Sequence, residues 1–197
     1  QAFYVGGHVK DPTPMVNAHD FAGDMGMVWD GDAIQLRVLA NPEIHSSASL
    51  QTGGQMSADD QRYVCHLTLW YSTTDAKPGL YICYTLNFKD GQLNPPGVEA
   101  AYVKDADGEG YTFEYRIPWA ILRAPRPWKD GDVVQTQWQV HWGDALGEHV
   151  KWGMTDVRNR ASGDLGYMGP GAWGHGIVHG KGNLQLAQPA VVGRAAG

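Results

Sequence analysis

Apolar and polar residues alternate over short stretches along most of the chain, and this period of two predicts β-strands rather than helices. The clearest stretch is Tyr111–Ile117, where aromatic and aliphatic residues alternate with Thr112, Glu114 and Arg116. Pro118 has no N–H to donate and is expected to end that strand. Comparable patterns predict strands at Phe3–Val9, Ala33–Leu39, Tyr63–Tyr71, Leu80–Phe88, Val98–Val103, Val133–Trp142, Trp173–Val178 and Asn183–Leu186.

The segments between these strands are rich in glycine and proline, which favour turns: the chain has 26 Gly and 11 Pro. We therefore expect an all-β fold, an antiparallel β-sandwich with short helical turns only, connected as a meander with long loops. The 197 residues are enough for one large β domain. It is predicted to span residues 1–186, with residues 187–197 as a disordered tail because they are small and carry no pattern.

Cys65 and Cys83 fall in two neighbouring predicted strands that form a hairpin. A register that pairs Tyr71 with Leu80 puts the two cysteines on opposite faces, where they cannot form a disulfide. The same register places Trp70 opposite Tyr81.

Charge and hydropathy exclude two classes of partner. The net charge of −6 argues against nucleic acid, which requires a basic patch. No apolar run approaches the length of a membrane span.

One predicted strand carries a row of hydrogen-bonding side chains. In Val133–Trp142, every second residue from position 135 is polar, and these residues fall on one face. Amides and imidazole both donate and accept hydrogen bonds, as sugar hydroxyls require. Trp70 and Tyr81 would add an aromatic surface for stacking on the same sheet. The alternative is an ordinary solvated sheet face. The strand residues of this candidate site are Gln135, Gln137, Gln139 and His141.

Several motifs resemble the family 9-like carbohydrate-binding modules, a group of DOMON-like β-sandwiches. They are the strand with its Ile-Pro-Trp corner at Gly110–Leu122, Tyr4–Asp11, the Gly-Asp strand start after Trp29, and Trp173 followed by Gly-His-Gly. The resemblance implies a non-catalytic module that binds an oligosaccharide or polysaccharide. It also implies an extracytoplasmic location (secreted, periplasmic or cell surface) and attachment to a larger protein. Members usually have one or two strands before the position of Phe3, so those strands are expected to be either missing from this chain or replaced by other structure.

A second candidate sugar site is a predicted hairpin loop. Trp142 and Trp152 flank a loop that contains Asp144. The resembling family holds a sugar between two tryptophans, but the loops of this chain do not match the family by motif, so that pair is not assigned to residues here. The alternative is an aromatic rim of the sandwich with no ligand.

Acidic residues cluster near the predicted Ala33–Leu39 strand. Asp20, Asp24, Asp30 and Asp32 offer the hard oxygen ligands that Ca²⁺ prefers, and the resembling modules often carry structural calcium. These four are the predicted metal ligands.

Two other functions are open alternatives. Some DOMON-related domains bind haem b through methionine and histidine, and His66 and His141 are candidate ligands together with loop methionines, namely Met25, Met27, Met154 and Met168. A carbohydrate-active enzyme using His141, Asp144 and His149 as an acid–base set is the other alternative.

Overall fold

A computed structural model of the chain describes residues 2–45, 56–84, 87–147, 149–155 and 170–179. Within these ranges it has one turn of α-helix, Ala58–Gln61, and 3₁₀ turns at Met25–Met27 and Pro170–Ala172. The same ranges form ten strands: β1 Ala2–Lys10, β2 Ala33–Leu39, β3 Val64–Ser72, β4 Lys77–Tyr84, β5 Asn87–Leu93, β6 Glu99–Lys104, β7 Gly110–Pro118, β8 Val133–Gly143, β9 His149–Thr155 and β10 Gly174–Ile177. The predicted strand Asn183–Leu186 and the predicted tail lie outside the described residues.

The strands form two antiparallel sheets, which confirms the all-β sandwich. The smaller sheet has the order β1-β7-β6, and the larger has the order β10-β8-β2-β3-β4-β5, with β9 also beside β8. The predicted meander is wrong, because β2 lies between β3 and β8 and β1 pairs with β7. Each of these pairings joins strands that are distant in sequence, and hydrophobic alternation carries no information about the partner of a strand.

Two predicted segments also differ from the structure. The stretch Leu80–Phe88 is not one strand, since β4 ends at Tyr84 and β5 begins at Asn87. Its apolar residues continue through the reversal, so periodicity alone cannot detect the turn. Strand β9 lies in a glycine-rich region for which no strand was predicted.

Alternate residues of both sheets meet in the main core between them. The larger sheet contributes Ile34, Leu36 and Leu67, and the smaller sheet contributes Tyr111 and Tyr115, all of them buried. In β7, the apolar residues of the predicted alternation therefore face the core, and the polar residues between them face away from it. The hydroxyl of Tyr115 donates to the carbonyl oxygen of Gly79 at 2.6 Å, which links the two sheets.

The β3–β4 hairpin has the predicted faces but a different register. Leu80 pairs with Leu69 rather than with Tyr71, and Gly79 is opposite Trp70. A shift of two residues keeps every side chain on its face. Cys65 consequently points into the main core while Cys83 lies on the other face, and both are buried thiols.

A charged turn fixes the start of β8. The guanidinium of Arg126 donates to both carboxylate oxygens of Asp132, at 2.6 and 3.0 Å, and the backbone of Asp132 is bonded to Val178 after β10. The hydrogen bond from Arg126 lowers the pKa of Asp132 from 3.8 to about 2.

This turn predicts a loss of stability in acid. Since the carboxylate has a lower pKa in the folded chain, its contribution is present above pH 3.8 and is lost as the pH falls towards about 2. Asp132→Asn should be less stable than the wild type at neutral pH, and the difference should shrink below that range. Urea unfolding followed by circular dichroism at several pH values measures it, and a pH-independent difference would contradict the prediction.

Candidate functional site

The face of the larger sheet that points away from the main core carries most of the polar groups of the candidate site. The β2–β8 register places Gln139 beside Gln35, Gln137 beside Arg37 and His141 beside Ala33. The shared face of the glutamines and His141 agrees with the sequence pattern, and their role in binding stays a prediction. The surface is called the polar face below; its residues are Gln35, Arg37, His66, Thr68, Gln135, Gln137, Gln139 and His141.

A buried arginine organises the polar face. Arg37 is 1% exposed, and its Nη1 donates to Gln137 Oε1 at 2.9 Å and to Gln139 Oε1 at 3.0 Å. Its Nη2 donates to Gln35 Oε1 at 2.7 Å. The amide of Gln35 in turn donates to the hydroxyl of Thr68 at 3.4 Å. One guanidinium therefore fixes which way three glutamine amides point, and sequence analysis missed it because Arg37 is simply one polar residue in an alternating strand.

Two histidines on this face are buried near the arginine. Burial lowers the pKa of His66 well below 6.5, and the electrostatic interactions with Arg37 and His141 act in the same direction. His66 is therefore a neutral imidazole at neutral pH. The indole of Trp29 lies against His141, with 5.8 Å between the ring centroids. Trp29 is half-buried beside the polar face.

Gln139 connects the buried network to the surface. It is half-buried, whereas Gln35 and Gln137 are buried. Because its carbonyl oxygen accepts from Arg37, its amide nitrogen is turned the other way. The polar face thus presents a hydrogen-bond donor of fixed orientation. This donor lies two residues along β8 from His141, against which the indole of Trp29 lies.

Gln135 has a different role from the other glutamines of its strand. It is 1% exposed, and its amide nitrogen donates to the carbonyl oxygen of Pro170 at 2.8 Å. This bond joins β8 to the 3₁₀ turn before β10, so Gln135 stabilises the scaffold.

The aromatic pair predicted from the sequence is buried rather than presented for stacking. Trp70 is 0% exposed and Tyr81 is 8% exposed. They belong to a small second core, on the same side of the sheet as the polar face, together with Val28, Ala33 and Cys83. The loop of residues 11–32 covers this core, and Trp70 Nε1 donates to His19 O at 3.3 Å. In this arrangement neither ring face is open to a sugar.

The structure describes two side chains of the predicted hairpin-loop site, those of Trp142 and Asp144. Trp142 packs against the main core, and its Nε1 donates to the carbonyl oxygen of Lys10 at 3.0 Å. Asp144 accepts from the backbone N–H of Leu146 at 2.8 Å within the turn. Trp152 is the residue on β9 that pairs with His141 in the strand register. Trp142 therefore lies on the core side of β8, away from the polar face.

The four predicted calcium ligands have separate local roles. Asp20 and Asp24 each accept a backbone N–H two residues further on, from Ala22 at 3.0 Å and Gly26 at 2.8 Å. Across the described ranges, no group of three or more His, Cys, Asp or Glu side chains could hold one metal ion. Asp30 and Asp32 complete the predicted set, and calcium binding there stays a prediction.

The buried carboxylate of Asp32 lies next to that of Asp11 rather than next to the other three predicted calcium ligands. It is 3% exposed, and its oxygens accept the backbone N–H groups of Gly143 at 2.6 Å and Val16 at 2.8 Å. Asp11, 2% exposed, lies next to it. Burial raises the pKa of Asp32 to about 7 against the effect of the two N–H groups, and the charge of Asp11 raises it further.

The residues of the two alternative functions are only partly brought together. His66 and His141 share the polar face, while Met25 packs against the second core and Met27 is 38% exposed. Asp144 is engaged in its turn, as described above. Met168 lies outside the described residues. Haem binding and catalysis therefore stay predictions.

No helix in the described ranges has the length and apolar character needed to cross a bilayer.

Comparison with known proteins identifies the fold class. The chain has the fold of family 9 carbohydrate-binding modules. A module from Caldicellulosiruptor kristjanssonii, solved in complex with cellotriose, superposes with a TM-score of 0.55 at 14% identity, over 92% of this chain and 71% of the other. A structure of a family 9 module from the same organism in complex with glucose gives a TM-score of 0.52 at 14% identity, over 93% of this chain and 73% of the other. No protein-family model and no curated protein sequence matches the chain.

Proposed function

We propose that this protein is a non-catalytic carbohydrate-binding module that binds a glucose-containing saccharide at the exposed margin of the polar face. The observation that carries the proposal is the hydrogen-bond network in which Arg37 orients Gln139, two residues along β8 from His141, against which the indole of Trp29 lies. The solved modules of the same fold that contain glucose and cellotriose support the choice of ligand class.

The chemistry of the polar face suits a sugar hydroxyl. A hydroxyl group both donates and accepts, and amide, imidazole and guanidinium groups satisfy both requirements. Because the amide of Gln139 is already oriented, little side-chain entropy is lost when a hydroxyl binds to it. The half-buried indole of Trp29 provides an apolar surface for the C–H face of a pyranose ring. Because His66 is neutral at neutral pH, it adds no positive charge to that of Arg37.

Affinity is expected to be modest. Each hydrogen bond to a sugar replaces one to water and contributes only about 0.5–1.5 kcal/mol. We further propose that the module acts within a larger extracytoplasmic protein, where several weak sites on one assembly would raise the avidity for a polysaccharide.

Replacing Gln139 with alanine is expected to weaken saccharide binding about tenfold, which corresponds to about 1.4 kcal/mol and the loss of one oriented donor. Trp29→Ala should weaken it more, since an aromatic contact is removed. Isothermal titration with glucose and cellotriose measures both effects. Chromatography of the same mixtures would reveal hydrolysis if the protein were an enzyme.

Two controls locate the site. Gln92 is an exposed glutamine on β5, and Gln92→Ala should leave affinity within about twofold of the wild type. Tyr4 is 60% exposed on β1 of the other sheet, and Tyr4→Ala should also have no effect. Unchanged binding in Gln139→Ala and Trp29→Ala would refute this site. A wild-type protein that binds no saccharide would refute the proposed function.

A further inference from the structure

The short segment that carries Trp29 is held from two sides. It consists of residues 28–32, immediately before β2. On one side lies Asn17, whose side chain is 0% exposed. The amide nitrogen of Asn17 donates to the carbonyl oxygen of Val28 at 2.9 Å and to that of Asp32 at 3.2 Å. These two hydrogen bonds bracket the tryptophan, so one buried side chain fixes both ends of the segment.

On the other side lies the β8–β9 turn, and glycines allow it to come close. A Cβ at Gly31 would lie 2.8 Å from Asn17 Cγ and 2.9 Å from Gly147 O. A Cβ at Gly147 would lie 2.8 Å from the backbone nitrogen of Ala18, and one at Gly143 would lie 3.1 Å from the Cα of Gly31. Non-bonded carbon atoms pack at about 3.5–4.0 Å. A side chain at Gly31 or Gly147 would therefore push the turn and the loop apart.

The backbone of Gly147 also has a conformation that residues with a side chain rarely adopt. Its φ is +83°, in the left-handed region where a Cβ is strained. Its N–H donates to Asp144 O at 3.0 Å, which closes the turn. Gly131, before β8, has the same φ of +83°, but a Cβ there would meet nothing within 4 Å. A comparison of the two glycines therefore separates backbone strain from contact with the loop.

We propose that Gly147 is a positioning residue of the saccharide site, because its close contact with the loop holds Trp29 against His141 before a ligand binds. Gly31, which the turn contacts, is two residues from Trp29, and the centroids of the Trp29 and His141 rings are 5.8 Å apart. An aromatic surface that is fixed in advance loses little entropy when a sugar stacks on it. The inference rests on the proposed function for the role of Trp29, but the position of the indole is measurable without any saccharide.

The experiment introduces asparagine at each of the two glycines, since asparagine tolerates a positive φ but adds a Cβ. The full chain is labelled with 5-fluorotryptophan, and its ¹⁹F NMR spectrum reports each of the 8 tryptophans. The spectrum of Trp29→Phe identifies the resonance of Trp29. Gly147→Asn should shift that resonance, whereas Gly131→Asn should leave it in place. Circular dichroism of the same samples shows that each variant is folded.

Titration of the unlabelled proteins with cellotriose tests the effect on binding. Gly147→Asn should weaken the affinity about fivefold, which is the order of the entropy lost when one side chain must be ordered again. Gly131→Asn should bind within about twofold of the wild type. In a Trp29→Ala background, Gly147→Asn should cause no further loss, because its effect passes through the indole. A merely structural role for Gly147 would give the same loss in both backgrounds.

Two NMR results would overturn the proposal. If the Trp29 resonance of Gly147→Asn stays at its wild-type position, the turn does not position the indole. If Gly131→Asn shifts the resonance equally, the cause is backbone strain rather than contact with the loop. Should Gly147→Asn not fold, Gly147→Ala and Gly131→Ala form the second pair, since alanine adds a single methyl group. A wild type that binds no saccharide refutes the proposed function, while the NMR comparison still decides whether Gly147 positions Trp29.

Discussion

Trp70→Ala is expected to lower the free energy of unfolding by about 3–5 kcal/mol, because the indole is a fully buried part of the second core. Its ring lies edge-on to Phe21 at 5.6 Å between centroids. The ring fills the space above Gly79 so closely that a Cβ there would lie 2.6 Å from it. The surrounding strands and loop cannot close the cavity that alanine would leave, so both the transfer energy and the cavity contribute.

Equilibrium urea unfolding followed by circular dichroism measures this loss. Tyr4→Ala is the control, since Tyr4 is 60% exposed and its truncation should change stability by less than about 0.5 kcal/mol. The sequence alone suggested a stacking platform, in which case Trp70→Ala would remove saccharide binding and leave stability unchanged. That outcome would contradict the buried position of the ring beneath the 11–32 loop.

Arg37→Met should destabilise the protein by about 2–4 kcal/mol and also weaken saccharide binding. Methionine fills a similar volume but donates no hydrogen bond, so the carbonyl oxygens of Gln35, Gln137 and Gln139 would lose the donor that they share. Without that donor, Gln139 loses its fixed orientation. Arg37→Lys should be intermediate, because an ammonium group cannot reproduce the planar fork that reaches three acceptors.

Arg116→Met is the matched control for Arg37→Met. Arg116 pairs with Glu99 at 3.1 Å on the surface, where an ion pair contributes about 0–1 kcal/mol. Urea unfolding and saccharide titration on the same variants separate stability from binding. If Arg37→Met were more stable than the wild type but bound no saccharide, the buried charge would be a cost that the fold carries for binding.

The sequence was informative where one residue's environment depends only on its own strand. The alternation in Tyr111–Ile117 predicted the core side of β7 correctly, and β2 begins and ends at the predicted residues. The faces of β3 and β8 were also right. Every one of these features follows from the period of two along a strand.

Features that depend on pairing between distant segments could not be predicted in this way. The Arg37 network requires the β2–β8 register, which joins residues about a hundred positions apart. The burial of Trp70 depends on the 11–32 loop, whose path has no periodic signal. Asp11 and Asp32 are 21 positions apart, and only the folded loop brings them together. The four-aspartate cluster looked compact in sequence, but two of its members cap their own turns.

Because the two cysteines point to opposite sides of the larger sheet, each side contains one buried thiol that can be modified chemically. Cys65 lies in the main core with its thiol bonded to Leu122 O at 3.1 Å, and Cys83 lies in the second core beneath the loop, where burial raises its pKa to about 11. We expect an alkylating reagent to reach Cys83 after local opening of the 11–32 loop, and to reach Cys65 only after the two sheets separate. The difference between the two modification rates therefore distinguishes local opening beside the polar face from global unfolding, without any added probe.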